Sequence, residues 1–165
     1  MSSASEPLTR LSTGVASGEL CVTVWLFFVQ SPFLFARLGS TKFLAIMIPL
    51  THLYFSTITV ANFFIAAISI IRAGGFRLEV VIQSMQCLAA IATLGVTLIN
   101  TYGIVPLVLK ENQRFARERS DFGFNDERAF LNEIASNTKA KIVHLASFAL
   151  LVLTVVGLAA HIICS

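Results

Sequence analysis

The chain has 165 residues, 56% hydrophobic and 13% charged, with a formal net charge of +3 and a mean hydropathy of +0.80. Soluble domains carry about 25% charged residues, so this composition excludes an ordinary water-soluble domain, and the length fits a single one. Cys21, Cys87 and Cys164 stand in apolar stretches without Cys-x-x-Cys or Cys/His spacing. That pattern speaks against a zinc site or a disulfide framework, and the three read as small buried hydrophobes.

Residues 1–14 (MSSASEPLTRLSTG) are polar and lack the apolar core of a cleavable secretory signal. A first transmembrane helix is expected over residues 18–36, with Glu19 at its watery end. Eighteen or so residues at 1.5 Å each suffice to cross the hydrocarbon layer of about 30 Å. Arg37 to Lys42 reads as a short polar turn.

A second span is expected over residues 43–71, a run without charge that contains Pro49. It is longer than the bilayer requires, which predicts tilt, a kink at the proline or an overhang beyond the bilayer. Arg72-Ala-Gly-Gly-Phe-Arg77 closes it, with Gly74-Gly75 as the turn signal.

The third span is expected over residues 80–109, interrupted towards its end by Asn100 and Pro106. Residues 110–141 form a polar loop with seven of the twelve basic and six of the nine acidic residues. Asn125 or Asp126 could cap a helix within it, and Phe130 and Ile134 share a face there. The fourth span is expected over residues 142–164. Transmembrane barrels need alternating segments of about ten residues, and these apolar runs are continuous. The fold class is therefore all-α: an integral membrane bundle of four transmembrane helices, one domain over 1–165, with a partly helical charged loop before the last.

Four spans place both termini on one side, with Arg10, Arg72 and Arg77. The other side holds Arg37, Lys42 and the seven basic residues of the long loop. The positive-inside rule then puts loops 37–42 and 110–141 in the cytoplasm or mitochondrial matrix.

No P-loop, dinucleotide fingerprint or nucleophile–base–orienter motif is present, so no enzyme and no catalytic residue is expected. The basic loop is almost balanced by acids, which argues against nucleic-acid partners. Paired histidines on facing helices can hold haem, which makes His52 and His144 the candidate cofactor ligands. His52 lies roughly 15 Å and His144 roughly 5 Å along their spans from the loop side at 1.5 Å per residue, so they meet only if the helices are staggered. No cofactor is expected. His161, near the opposite face, reads as structural, bonding a backbone carbonyl or reaching the interface. Gly14-x-x-x-Gly18 and the small residues Ser84, Ala89, Ala90, Ala92 and Gly95 read as packing faces. The many phenylalanines read as lipid-facing or helix-facing bulk. No Asp, Glu, Lys or Arg is expected well inside a span, which disfavours a pump or coupled transporter.

One further pattern bears on the fold. The first span carries Trp25-x-x-Phe28-Val29-x-Ser31-Pro32-x-Leu34-Phe35-x-x-Leu38. Phe43, Pro49 and Tyr54-Phe55 follow, then Asn100 and Pro106, then Lys141-x-x-His144-x-x-Ser147. This set resembles the four-helix membrane family of unknown function that includes transmembrane protein 205, over about residues 15–162. Leu145 stands where that family commonly has glycine. The resemblance implies the four-helix fold and singles out His144, Ser147, Asn100 and Pro106 as a polar cluster. It implies no reaction.

Absence of intramembrane charge suits a scaffold. The leading expectation is a non-catalytic accessory subunit of a larger membrane complex, with a respiratory or ATP-synthase assembly of the mitochondrial inner membrane as its setting. Its partners would be other membrane subunits and lipids. The alternatives are a stand-alone protein in small-molecule or lipid handling, and a haem- or quinone-binding anchor. Plasma membrane and endoplasmic reticulum are the alternative locations.

Overall fold

A computed structural model describes residues 5–75, 77, 84–122 and 138–165. In chain order it contains α1 (Ser5–Val24), a π-helical turn (Trp25–Gln30), α2 (Ser31–Arg72), α3 (Met85–Leu98), a second π-turn (Ile99–Ile104), α4 (Val105–Phe122) and α5 (Thr138–Ile163). No strand occurs among the described residues. Among the described residues four stretches are long and apolar enough to cross a membrane: Glu6–Leu38, Pro49–Arg72, Met85–Glu111 and Ile142–Ile163. The chain is an all-α four-helix bundle compatible with an integral membrane protein.

The first span differs most from the sequence expectation. Its helix begins at Ser5, not near residue 18. Thr9, Leu11, Ser12 and Thr13 are tolerable helix residues once the helix is anchored. Arg10 and Glu6 add an exposed i,i+4 ion pair at 2.6 Å, worth only a few tenths of a kcal/mol. The anchor is packing: Ser12, Ala16, Glu19 and Thr23 are all buried, a three-to-four-residue stripe against the other helices.

Helical geometry continues through Arg37–Lys42, the expected turn, yet the chain reverses there. The Phe35 and Phe43 rings meet edge to face at 5.3 Å, where a straight helix would hold eight residues about 12 Å apart. Further along, Thr23 bonds Tyr54 across the first two spans. At the far end of α2, Gly74 and Gly75 take φ of +95° and +105°. Such backbone suits glycine, and the Gly75 N–H closes on the Ile70 carbonyl at 3.0 Å, ending the helix where the Gly-Gly signal predicts.

Ser84 caps α3 by accepting from the Cys87 N–H at 3.3 Å. The expected start at Val80 lies outside the described residues, as do Asn125, Asp126, Phe130 and Ile134.

The two π-turns share a cause. In each, the residue before a proline donates its N–H five residues back: Ser31 to Leu26, ahead of Pro32, and Val105 to Asn100, ahead of Pro106. A proline ring clashes with the carbonyl four residues earlier in a regular helix. Widening the turn by one residue moves that carbonyl aside, and the Ser31 hydroxyl adds a bond to Leu26 O at 2.7 Å. Both spans therefore continue through their prolines.

Two apolar clusters sit along the bundle. One, around Leu26, Tyr54, Phe55, Ile58, Val105 and Leu151, lies towards the loop side. The other joins Ala16, Ile65, Ala66, Ala90 and Leu158 towards the termini. Large residues such as Trp25, Phe33, Phe63 and Phe64 are 58–61% exposed on the outside, as lipid-facing bulk requires. Cys87 is buried, but Cys21 and Cys164 are exposed, so the buried-hydrophobe reading holds for one cysteine of three. Gly14 and Gly18 have no neighbour within 4 Å of a built Cβ, so they do not serve as a close packing face within the bundle. The close approach is instead Gly157 on α5 against Thr93 on α3, where a Cβ would fall 2.0 Å from the Thr93 hydroxyl oxygen.

Candidate functional site

Lipid tails offer no hydrogen bonds, so polar side chains inside such a bundle must find partners within it. Threonines here return their hydroxyl hydrogens to the carbonyl four residues back. Thr23 bonds Glu19 O, Thr59 bonds Phe55 O, Thr93 bonds Ala89 O and Thr97 bonds Thr93 O, all at 2.7–2.8 Å. Their oxygens can still accept. Three polar layers result.

The first layer adjoins the loop side. Asn100 is fully buried within the second π-turn. Ser147 on α5 donates to its Oδ1 at 3.0 Å, and the Asn100 amide reaches the Ser147 carbonyl at 3.4 Å. Beside this pair lies a cavity of about 260 Å³ between all four spans. Its wall is mainly apolar, with Phe27, Phe55 and Leu151 among its members, while Ser31, Thr51, His144 and Ser147 are its polar members. The cavity thus unites parts of both proline-linked turns: Phe27 belongs to the first, and Val105, which closes the second, also lines it.

Of the two candidate haem ligands, His144 lines this cavity. His52 does not, and it is exposed on α2. The two imidazoles therefore do not converge on the cavity, which Thr51, one residue before His52, helps to line. Pro106 is exposed and acts through the backbone, by placing the π-turn that holds Asn100.

The second layer lies near the middle. Glu19 is only 7% exposed, contrary to the expectation that it stays in water. The reason is the early start of α1: Glu19 lies fourteen residues beyond Ser5, about 21 Å along the helix at 1.5 Å per residue. Its Oε1 accepts from the Asn62 amide of α2 at 2.7 Å, and the same amide nitrogen reaches Thr97 Oγ1 of α3 at 3.3 Å. Next to them, Tyr54 donates its hydroxyl to Thr23, whose own hydrogen is committed to Glu19 O. One level along, Thr59 and Thr101 bond each other at 2.9 Å.

The third layer faces the termini. Arg72 donates to Gln86 Oε1 at 2.7 Å, and Gln86 donates to Ser165 Oγ at 2.9 Å. Ser165 in turn donates to His161 O at 2.6 Å. His161 is buried and its Nδ1 lies 3.4 Å from the Gln86 carbonyl, the first of the two structural roles open to it from the sequence.

The family resemblance pointed to Asn100, Ser147 and His144; the sequence placed Glu19 in water and did not single out Asn62 or Gly157. A signal for Glu19 existed: it is the single charged residue between Leu11 and Ala36. Among the described residues no group of three or more His, Cys, Asp or Glu converges as a metal site. No protein-family model, curated protein or solved structure matches this chain.

Proposed function

We propose that the chain is a non-catalytic membrane protein that takes up a small amphiphile in the loop-side cavity: a molecule with an apolar body and one hydrogen-bonding end. The observation that carries this reading is the cavity of about 260 Å³, apolar over most of its wall and polar at Ser31, Thr51, His144 and Ser147. An apolar void of about 150 Å³ already accommodates benzene, so a somewhat larger ring or a short chain fits here. Ligand sites in general pair apolar walls with few polar anchors. The resemblance to the four-helix family singles out the same end of the bundle through His144, Ser147, Asn100 and Pro106. The cation bias of loops 37–42 and 110–141 supports a cavity facing the cytoplasm or the matrix.

The test is native mass spectrometry of the protein released from lipid nanodiscs, beside a Val108→Trp variant that fills the cavity from its wall. A small non-protein mass retained by the wild type and lost from V108W is the expected result. Equal retention by both proteins, or none by either, overturns the proposal.

A second reading is an accessory subunit of a mitochondrial respiratory or ATP-synthase assembly. It is supported by an outer apolar groove lined by Leu11, Val15, Val60, Phe64 and Ile68, which a neighbouring transmembrane helix could fill. The support it drew from spans free of Asp, Glu, Lys and Arg is removed by Glu19. A native gel of mild-detergent extracts separates the two readings. Migration with other subunits, far above 17.9 kDa, favours the subunit; migration near the chain's own mass rules it out.

A further inference from the structure

Glu19 is a costly side chain to place, buried to 7% exposure well inside the first span. Bringing an ionised carboxylate out of water is unfavourable by several kcal/mol even after relaxation, unless a cation accompanies it. Among the described residues no Lys, Arg or His pairs with it.

The hydrogens around Glu19 can be followed one by one. Asn62 Nδ2 directs its two hydrogens to Glu19 Oε1 and Thr97 Oγ1. Thr97 gives its own to Thr93 O, Thr23 gives its own to Glu19 O, and Tyr54 gives its own to Thr23. Among the side chains of this cluster, two buried polar atoms then remain without a partner, Glu19 Oε2 and Asn62 Oδ1. Both are acceptors, and they belong to the two residues joined by the 2.7 Å bond. Every donor of the cluster is already committed. Whatever completes it must bring positive charge or hydrogen.

We propose that Glu19, Asn62 and Thr97 form an exchangeable site for a single positive charge, a proton or a sodium-like monovalent cation, at the middle of the bundle. All ligand atoms are oxygens, the hard donors that alkali cations and protons take. One carboxylate balances one charge; a divalent ion would leave an uncompensated positive charge in a medium of low dielectric. Among the described residues, the elements packed around the site supply no competing charge. From α2 the titratable neighbour is Tyr54, held by Thr23. From α3 the facing side chain is Thr97. From α5 the cluster beside Ala16, one helical turn before Glu19, receives Leu158 and Ile162. Arg72 and His161 are engaged with Gln86 in the layer near the termini. Ionisable groups held within a span mark ion pathways and proton relays, so this site extends the amphiphile-binding reading with a charge that can load and unload.

The test uses the full wild-type chain in liposomes and dicyclohexylcarbodiimide, an apolar reagent that adds to protonated carboxyl groups. Peptide mass spectrometry reads the adduct. The expected result is an adduct on Glu19 at acidic pH without sodium, lost at alkaline pH. Protection by sodium chloride but not by choline chloride at one pH identifies sodium as the cation; equal yield in both salts identifies the proton. Absence of an adduct on Glu19 at acidic pH without sodium overturns the site. So does an adduct that neither pH nor sodium alters, because the carboxyl would then be permanently neutral and structural. Neither outcome depends on whether the cavity binds an amphiphile.

Discussion

Asn100 and Ser147 bond each other in both directions across the third and fourth spans, hydroxyl to amide oxygen at 3.0 Å and amide to backbone carbonyl at 3.4 Å. The pair exists because Pro106 shifts the preceding turn into π geometry, and Asn100 lies in that turn. A single polar contact between membrane helices averages about 0.6 kcal/mol, with a maximum near 1.7. Asn100→Ala and Ser147→Ala should each destabilise the bundle by about 1–2 kcal/mol, because each leaves a buried partner unsatisfied. The double variant should cost less than the sum. Reversible unfolding in mixed micelles measures all three, and strict additivity would show that the two residues are not coupled.

Gly157→Ala should destabilise more than an alanine usually does in a helix. The new Cβ would lie 2.0 Å from Thr93 Oγ1, and that hydroxyl is committed to Ala89 O at 2.7 Å. Overpacking of this kind costs about 1–3 kcal/mol. Adding Thr93→Ala should recover much of the loss by clearing the contact. If G157A melts at the wild-type temperature, the close approach of α3 and α5 at this level is refuted.

Tyr54→Phe removes only the bond to Thr23 and should cost about 0.5–1.5 kcal/mol. Tyr54→Ala also removes a ring that packs edge to face on Phe27 at 4.9 Å and on Phe55 at 5.2 Å. That change should cost about 3–5 kcal/mol, as large-to-small aromatic substitutions do. Thermal melting in detergent ranks the two; equal losses would mean that the hydroxyl, not the ring, dominates.

Gln86→Leu should loosen the end of the bundle near the termini. The amide joins Arg72 at 2.7 Å to Ser165 at 2.9 Å, and leucine can do neither. Bonds to a charged partner are worth about 1.5–3 kcal/mol. Hydrogen exchange at the last turn of α5 should rise in this variant. Unchanged protection there would show that the Arg72–Gln86–Ser165 chain does not hold the C-terminal turn.

Much of the bundle is legible from local pattern. Charge-free runs mark the second, third and fourth spans, and Gly74-Gly75 marks the end of α2 because only glycine enters positive φ there without strain. Asn100 and His144 are legible as polar residues in apolar runs. The start of α1 is not. Ser5 to Ser17 is polar enough to read as a tail, and it is helical because its small-residue stripe finds a partner surface. The error over Glu19 followed from that one boundary.

Sequence alone therefore determined the class of the molecule, since continuous apolar runs with few charges have one stable arrangement in a bilayer, helices that satisfy their own backbones. It could not determine which polar residues meet. Glu19 finds Asn62 forty-three residues away, and Gln86 finds Ser165 seventy-nine residues away. Helical periodicity gives the face of each residue but neither the rotation of one helix against another nor their relative height. Those were decided by tertiary packing: Gly157 against Thr93, the two proline-shifted turns, and the need of each buried hydroxyl, amide and carboxyl for a partner that lipid cannot supply.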